Sequence, residues 1–276
     1  MKDMIPLEDN AGDILGKAQR GLGISDSQLA AKSGMDADRI HRLREGDFDN
    51  ETIRAVAPVL GLDAGSLIKL ARNQWQVESV DEIDGLAQFN TTYGDMTVNA
   101  YLIWDPASRK AVAFDTGADC TDMLKRIGRE KLTVELILLT HSHPDHVADL
   151  ARLRKETGAP VYISERESAG GAEPIREGRR FACDAVKIES RLTTGHSVGG
   201  MTFVIEGLAR PVAVVGDSLF AASMGGGAVS YPDALRNNLE KVLILPDETI
   251  ICPGHGPLTT VGREKRENPF FAAKFR

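Results

Sequence analysis

The sequence predicts a mixed α/β (α+β) protein, in which a small all-α domain precedes an α/β layered domain of about 195 residues. Three observations predict it. Between Ile14 and Ala71 the apolar residues recur only at helical spacing. Beyond Val77 short apolar runs alternate with helical stretches. The polar stretch 72–84 separates the two habits. The expected division is 1–72 helical, 73–84 linker and 85–276 layered domain.

In the helical part, Ser25 or Ser27 caps a helix carrying Leu29 and Ala30, and Gly34 breaks it. A second helix over 36–44 turns Ile40 and Leu43 to one face, and Gly46 ends it. Another apolar-periodic run, 50–60, stops at Gly61. In the second part, strands are expected at 97–104, 111–114, 135–140, 160–163, 201–205, 212–215 and 249–252. Helices are expected at 119–130, 146–157 and 232–243.

Composition narrows the function classes. The chain has 276 residues, 42% of them hydrophobic and 26% charged, with net charge −7, so excess Lys and Arg do not drive it onto nucleic acid or membrane surfaces. No apolar stretch approaches the ~18 residues of a membrane span. The first ten residues hold Lys2, Asp3, Glu8 and Asp9 and no apolar core, unlike a secretory signal. Cys120, Cys183 and Cys252 are odd in number and lack a CxxC pair, which suits reduced thiols in a cytoplasm.

Histidine placement carries the chemistry. Of six histidines, five (His141, His143, His146, His196 and His255) fall where strands are expected to end. Three lie in the hexapeptide His141-Ser142-His143-Pro144-Asp145-His146, directly after the run 135–140. On a strand-to-helix loop His141 and His143 point the same way, and Asp145 and His146 turn back toward them. His196 follows Thr194-Gly195, Asp217 ends the run 212–216, and His255 sits between Gly254 and Gly256. Imidazoles and carboxylates converging from strand ends are the ligand set zinc prefers and iron or manganese accept. The remaining histidine, His41, reads as an ordinary polar residue.

These residues resemble the metallo-β-lactamase superfamily, whose signature is HxHxDH followed by a distant His, Asp and His. The resemblance runs from about Val80 to the C-terminus. It implies a four-layer αβ/βα sandwich and two divalent metal ions. His141, His143 and His196 would bind one ion, Asp145, His146 and His255 the other, and Asp217 would bridge them. Within the superfamily the chain looks closest to the glyoxalase II-like (hydroxyacylglutathione hydrolase-like) branch. Asn99-Ala100-Tyr101-Leu102, Asp115-Thr116-Gly117, Gly216-Asp217-Ser218, Pro253-Gly254-His255-Gly256 and the late run from Arg263 to Phe270 carry that likeness. Only about 20 residues follow His255, so most of the C-terminal extension that holds glutathione in that branch is missing.

The implied chemistry is hydrolysis of a small thioester or ester by a metal-bridging hydroxide, formed because bound ions lower the pKa of water toward ~7. Asp145 would orient that hydroxide. Asp115 either accepts a hydrogen bond from the outer nitrogen of a ligand histidine or simply forms the turn before Thr116-Gly117. Tyr231 either closes over a substrate or packs in the core. Arg263, Lys265 and Arg266 either attract an anionic carrier or form a solvated helix face. No GxSxG elbow is present, and neither Ser218 nor Ser223 has a recognisable base. Rival readings are a lactonase, a persulfide dioxygenase-like oxidoreductase using one iron, and a transcriptional regulator whose metal domain senses a ligand.

Residues 14–70 resemble the Cro/CI-type helix-turn-helix domains. Gln28, Arg39, Arg42 and Arg44 are the candidate DNA contacts, because they fall on the second helix and the recognition helix of that motif. Charge opposes them: ten basic and twelve acidic residues up to Arg72 leave −2, where DNA binding calls for a basic footprint. Docking or homodimer formation is the alternative use of such a module.

Overall fold

The computed structural model describes residues 5–77, 80 and 82–276; Met1–Met4 of the expected leaderless start and Glu78, Ser79 and Asp81 of the expected linker lie outside them. Five helices come first: α1 (Ala11–Gly21), α2 (Asp26–Ser33), α3 (Ala37–Arg44), α4 (Asn50–Val59) and α5 (Ala64–Ala71). Asn10, Ser25, Asp36, Asp49 and Asp63 cap them in turn, each accepting from a first-turn N–H. Such caps stabilise by about 1 kcal/mol each. Of the two candidate serines Ser25 is the cap, and Gln28 closes the capping box behind it. Gly34 ends α2 in the left-handed region at φ 69°.

Two six-stranded sheets follow. The first is built from β1 (Leu86–Tyr93), β2 (Met96–Trp104), β3 (Lys110–Phe114), β4 (Thr133–Leu138), β5 (Val161–Ser164) and β6 (Glu173–Ile175), paired in that order. Helices α6 (Thr121–Glu130), α7 (Pro144–Val147) and α8 (Leu150–Thr157) interrupt it. The second sheet takes β7 (Arg180–Cys183), β8 (Val186–Leu192), β9 (Met201–Glu206), β10 (Val212–Gly216), β11 (Ile250–Pro253) and β12 (Thr259–Thr260), with α9 (Tyr231–Asn237) and α10 (Val261–Glu267).

Strand alternation builds the layers. Tyr101, Ile103, Val112 and Phe114 of the first sheet meet Phe203, Ile205, Val212, Val214, Ile250 and Cys252 of the second. Their neighbours Ala100, Leu102, Trp104, Ala111 and Ala113 face α6 and α8. On the far side, Ala213, Val215 and Ile251 face helices. Because both faces are covered, these strands read as continuous apolar runs. The result is the expected four-layer αβ/βα sandwich.

The five N-terminal helices share their core with the second sheet. Ile14, Leu15, Ala18, Leu29, Ile40, Leu43, Ile53 and Leu67 belong to the same buried cluster as Ala213, Val215, Tyr231 and Phe271. Asp63 N–H also donates to Pro269 O at 2.7 Å, and Arg276 pairs with the Asp63 carboxylate at 2.8 Å.

Three expected boundaries move for identifiable reasons. The helix expected at 146–157 breaks before Leu150, because Thr116 Oγ1 takes the N–H of Asp149. The strand expected to reach 140 stops at Leu138, and the Thr140 N–H turns to Asp115 Oδ1. The helix expected at 232–243 begins at Tyr231 and widens into a π-helical turn over Asn238–Val242. Among the described residues no helix is long and apolar enough to cross a membrane.

Candidate metal centre

Four strand ends open on one edge of the sandwich. The loop after β4 supplies His141 and His143, and Pro144 then starts α7, which carries Asp145 and His146. His196 lies between β8 and β9, Asp217 follows β10, and His255 follows β11. These seven side chains, and no other described ones, form clusters able to hold a metal ion: His141, His143, His196 and Asp217 in one group, Asp145, His146 and His255 in the other.

In the first group His141 Nε2 and His196 Nε2 each lie 3.0 Å from His143 Nδ1, and Asp217 Oδ2 lies 3.2 Å from His196 Nε2. In the second, Asp145 Oδ2 is 3.4 Å from His255 Nε2 and 3.5 Å from His146 Nε2. Asp217 faces both groups, with Oδ1 3.2 Å from His146 Nε2 and Oδ2 3.4 Å from His255 Nε2. Gly254 makes this approach possible: a Cβ there would lie 2.0 Å from Asp217 Oδ1 and 2.7 Å from the His146 ring.

The outward ring nitrogens fix the tautomers. His146 Nδ1 donates to Asp115 Oδ2 at 2.9 Å, His255 Nδ1 to Thr97 O at 2.6 Å and His196 Nδ1 to Gly226 O at 3.2 Å. Carbonyls and carboxylates only accept, so each Nδ1 carries a hydrogen and each Nε2 is the nitrogen left to ligate a cation. Thr140 Oγ1 donates to Asp115 Oδ2 at 2.7 Å and therefore accepts from His141 Nδ1 at 3.0 Å. Asp115, held at φ 56°, thus orients His146 directly and His141 through Thr140.

Buried His146 Nε2 and Asp217 Oδ1 face each other at 3.2 Å, yet neither makes an aligned hydrogen bond among the described residues, a costly state that a cation between them would relieve. The ion-pair partners of Asp115, Asp145 and Asp217 are histidines. Burial disfavours the charged forms of His141 and His196 and holds both below the ordinary imidazole value. With no cation bound, burial opposes charge on His146 and His255, but Asp217 and the neighbouring acceptors together outweigh it and raise them to about 10 and about 11, so a bound cation would displace a proton from each Nε2. Burial pushes against ionisation of Asp217 as well, yet His146 and His255 keep its carboxyl well below the usual range. The pocket is thus built to bind positive charge, and its donors fit two divalent ions that share Asp217.

A family model described as the metallo-beta-lactamase superfamily matches residues 93–255, more than half of the chain. The chain belongs to this superfamily. Relatives named as probable metallo-hydrolases, from Streptococcus pyogenes and Bacillus subtilis, are 30% and 29% identical to this chain. A hydroxyacylglutathione hydrolase of Haemophilus influenzae is 29% identical over 201 residues, which cover 64% of this chain and 93% of that protein. The solved structure of BLEG-1 B3 metallo-beta-lactamase superposes with TM-score 0.58 at 30% identity, covering 67% of this chain and 98% of that one. TTHA1623, solved in a di-iron-bound form, is also 30% identical, with TM-score 0.54, covering 66% of this chain and all of that one. Each of these relatives leaves about a third of this superfamily member uncovered, and the family model begins after the five helices.

The structure gives other partners to the remaining residues that sequence singled out. Tyr231 is 4% exposed and its ring packs against Gly21 of α1, so the core alternative holds; burial pushes its hydroxyl up to about 12. Arg263 is buried, stacks 3.6 Å from the Trp75 ring centroid and donates to Gln76 O. Lys265 pairs with Asp247 at 2.7 Å, and exposed Arg266 lies on the same turn. These contacts tie Arg263 to the segment after α5 and Lys265 to the turn before β11, and buried Arg263 is not part of a solvated helix face. On α3, Arg39 pairs with Asp49 and Glu51, both at 2.9 Å, and Arg44 pairs with Asp26 at 2.7 Å. Arg42 faces Asp47 at 3.7 Å, and Gln28 is spent on the capping box.

Sequence reasoning passed over Thr140, the relay between Asp115 and His141. It also missed why Asn99 and Tyr101 matter. Asn99 Nδ2 donates to Pro253 O and Gly256 O, and Tyr101 OH to Pro253 O at 2.6 Å, which pins the turn that carries His255.

Proposed function

We propose that the chain is a dinuclear metal-dependent hydrolase of a small thioester or ester, of the hydroxyacylglutathione kind. The observation that supports this most is the convergence of two groups of mostly buried imidazoles and carboxylates on Asp217, whose Oδ1 faces His146 Nε2 at 3.2 Å without forming an aligned hydrogen bond. The donors are imidazoles and carboxylates without a thiolate, a set that suits zinc and accepts iron or manganese. Divalent ions bound there supply Lewis acidity and an activated water at neutral pH.

The chain's own residues do the rest. His141, His143 and His196 would hold one ion, Asp145, His146 and His255 the other, with Asp217 shared. Burial raises the Asp145 carboxyl, but its hydrogen bond to His255 and the charge of His146 outweigh this and keep it ionised, with Oδ2 turned between the two rings. It is therefore placed to orient the attacking water and accept its proton. Ser218 and Ser223 are engaged elsewhere: Ser218 Oγ donates to Thr193 Oγ1 at 2.8 Å and Ser223 Oγ to Asp9 at 2.6 Å. The thioester preference is carried from the Haemophilus relative's name. A cytoplasmic setting fits the free, buried thiols Cys120, Cys183 and Cys252.

The test is hydrolysis of S-lactoylglutathione by the metal-loaded protein beside Asp145→Asn. Turnover is expected, with a loss of at least ~100-fold in the folded variant. Equal turnover in the variant would sink the mechanism. No turnover in a protein holding two metals removes the thioester and directs the assay to lactones.

A further inference from the structure

The short segment before α1 runs between two loops of the metal centre. It crosses the His255 turn at Gly256, which holds φ 77°; a Cβ there would meet Glu8 N at 3.3 Å and Pro6 O at 3.6 Å. Glu8 Oε2 then lies 4.0 Å from His255 Nδ1, the nitrogen that donates to Thr97 O. One residue on, buried Asp9 accepts from Ser223 Oγ at 2.6 Å and pairs with Lys17 of α1 at 2.5 Å. Lys17 also donates to Met224 O at 3.0 Å and lies 5.1 Å over the Phe220 ring, whose centroid is 5.6 Å from that of His255. Ser223 and Met224 belong to the loop after Asp217, in which Gly226 O fixes His196. All of the N-terminal partners lie outside the family match, which begins at residue 93.

We propose that this segment is a working part of the metal centre and that Glu8 is a positioning residue for His255. The inference rests on the two-metal reading above. A carboxylate behind a ligating imidazole fixes the ring and strengthens its donor nitrogen. Asp115 stands in that relation to His146, at 2.9 Å. Glu8 acts on His255 by charge alone, because at 4.0 Å it makes no hydrogen bond and the Nδ1 hydrogen goes to Thr97 O, and it comes from a region that the family match does not reach. The Asp145, His146 and His255 half-site therefore depends on the N-terminal region, and the His141, His143 and His196 half-site does not depend on Glu8.

The experiment uses the full chain. Zinc is titrated against a chromogenic chelator, and imidazole nitrogen and Nδ1–H resonances of His146 and His255 report which half-site fills. In Glu8→Gln, which removes the charge and keeps the shape, one of the two zinc constants is expected to weaken roughly tenfold. The His255 Nδ1–H resonance should shift, and the metal-free melting temperature should stay put because Glu8 is part-exposed. Asp9→Asn, which loosens the same segment, should weaken that constant and lower the metal-free melting temperature as well. Two unchanged constants in Glu8→Gln overturn the inference, as does an equal loss at both half-sites with a lower metal-free melting temperature. A wild-type chain that binds fewer than two zinc ions overturns the two-metal reading beneath it.

Discussion

Helix α3 and the loops that carry the clustered histidines use charge in opposite ways. On α3 and its surroundings each arginine has a carboxylate from its own region: Arg39 has Asp49 and Glu51, Arg42 has Asp47, and Arg44 has Asp26. At the strand ends the carboxylates of Asp145 and Asp217 meet imidazoles, and buried His146 Nε2 and Asp217 Oδ1 make no aligned hydrogen bond among the described residues. A region whose charges close on themselves needs nothing from outside. One that gathers mostly buried imidazoles and carboxylates without Lys or Arg has the donor set of a metal site.

Removing metal is the strongest way to break this contrast. An ion held at a thousand times its dissociation constant stabilises the native state by about 4 kcal/mol. For a chain of this size that is roughly 10 °C in melting temperature. Chelation should lower the transition by that order, and readded zinc should restore it. A transition that chelator leaves unmoved would mean that the clustered donors are satisfied without metal.

The next effect tests a buried carboxyl that is not a metal ligand. Glu264 accepts from Ala222 N–H, Thr259 Oγ1 and Asn268 Nδ2, holding the loop after Asp217 to α10. Burial outweighs these bonds and raises it from 4.5 to about 7. A carboxyl raised in the fold contributes stability that is full below the unfolded value and lost as pH climbs through the folded one. Glu264→Gln keeps the acceptor for Ala222 and Asn268 and can donate to Thr259. Its stability relative to wild type should therefore rise between pH 4.5 and pH 7 and level off above. The gain should be about 3 kcal/mol at ~1.4 kcal/mol per pKa unit, read from denaturant midpoints of the metal-free chains. A flat difference across that window would show that Glu264 is ionised throughout.

What sequence could and could not show follows the same physics. Five strand-end histidines were legible because ligand chemistry is written in side chains and the strands are apolar on both faces. The strands β1, β7 and β8 were not, since half-exposed runs such as Gln88, Asn90, Thr91 and Thr92 lack that signature. The tautomer-setting acceptors Thr97 O and Gly226 O are backbone atoms, and any residue type could supply them. Glu8 was unreadable because its place beside His255 depends on how α1 docks. Asp115 was half legible: its turn was visible, but the fork to His146 and Thr140 appears only when β3 and β4 pair.

Asp115 offers a smaller test, through geometry. Asp115→Asn keeps the shape but can turn an amide N–H toward His146 Nδ1, competing with the tautomer that leaves Nε2 free. Metal affinity should fall by about 10- to 100-fold, the usual loss for a partner behind a ligand, measured by chelator competition. Asn retains an acceptor for Thr140, so a fall confined to the ion that His146 would hold supports orientation, and an equal fall at both ions supports the relay through Thr140 to His141.

The smallest effect sharpens the other half of the contrast. Arg39 and Arg42 are at least 32% exposed, and exposed ion pairs are worth about 0–1 kcal/mol. Arg39→Ala with Arg42→Ala should cost less than about 1 kcal/mol in stability and leave zinc stoichiometry and turnover unchanged. If α3 serves only as packing against its own acidic neighbours, labelled duplex at low salt should migrate identically with either protein. A duplex shift by the wild-type chain that the double variant loses would show these arginines exchanging Asp49, Glu51 and Asp47 for phosphates. Electrostatic closure would then be a resting state that nucleic acid opens, and internal pairing would no longer separate structural from functional charge in this molecule.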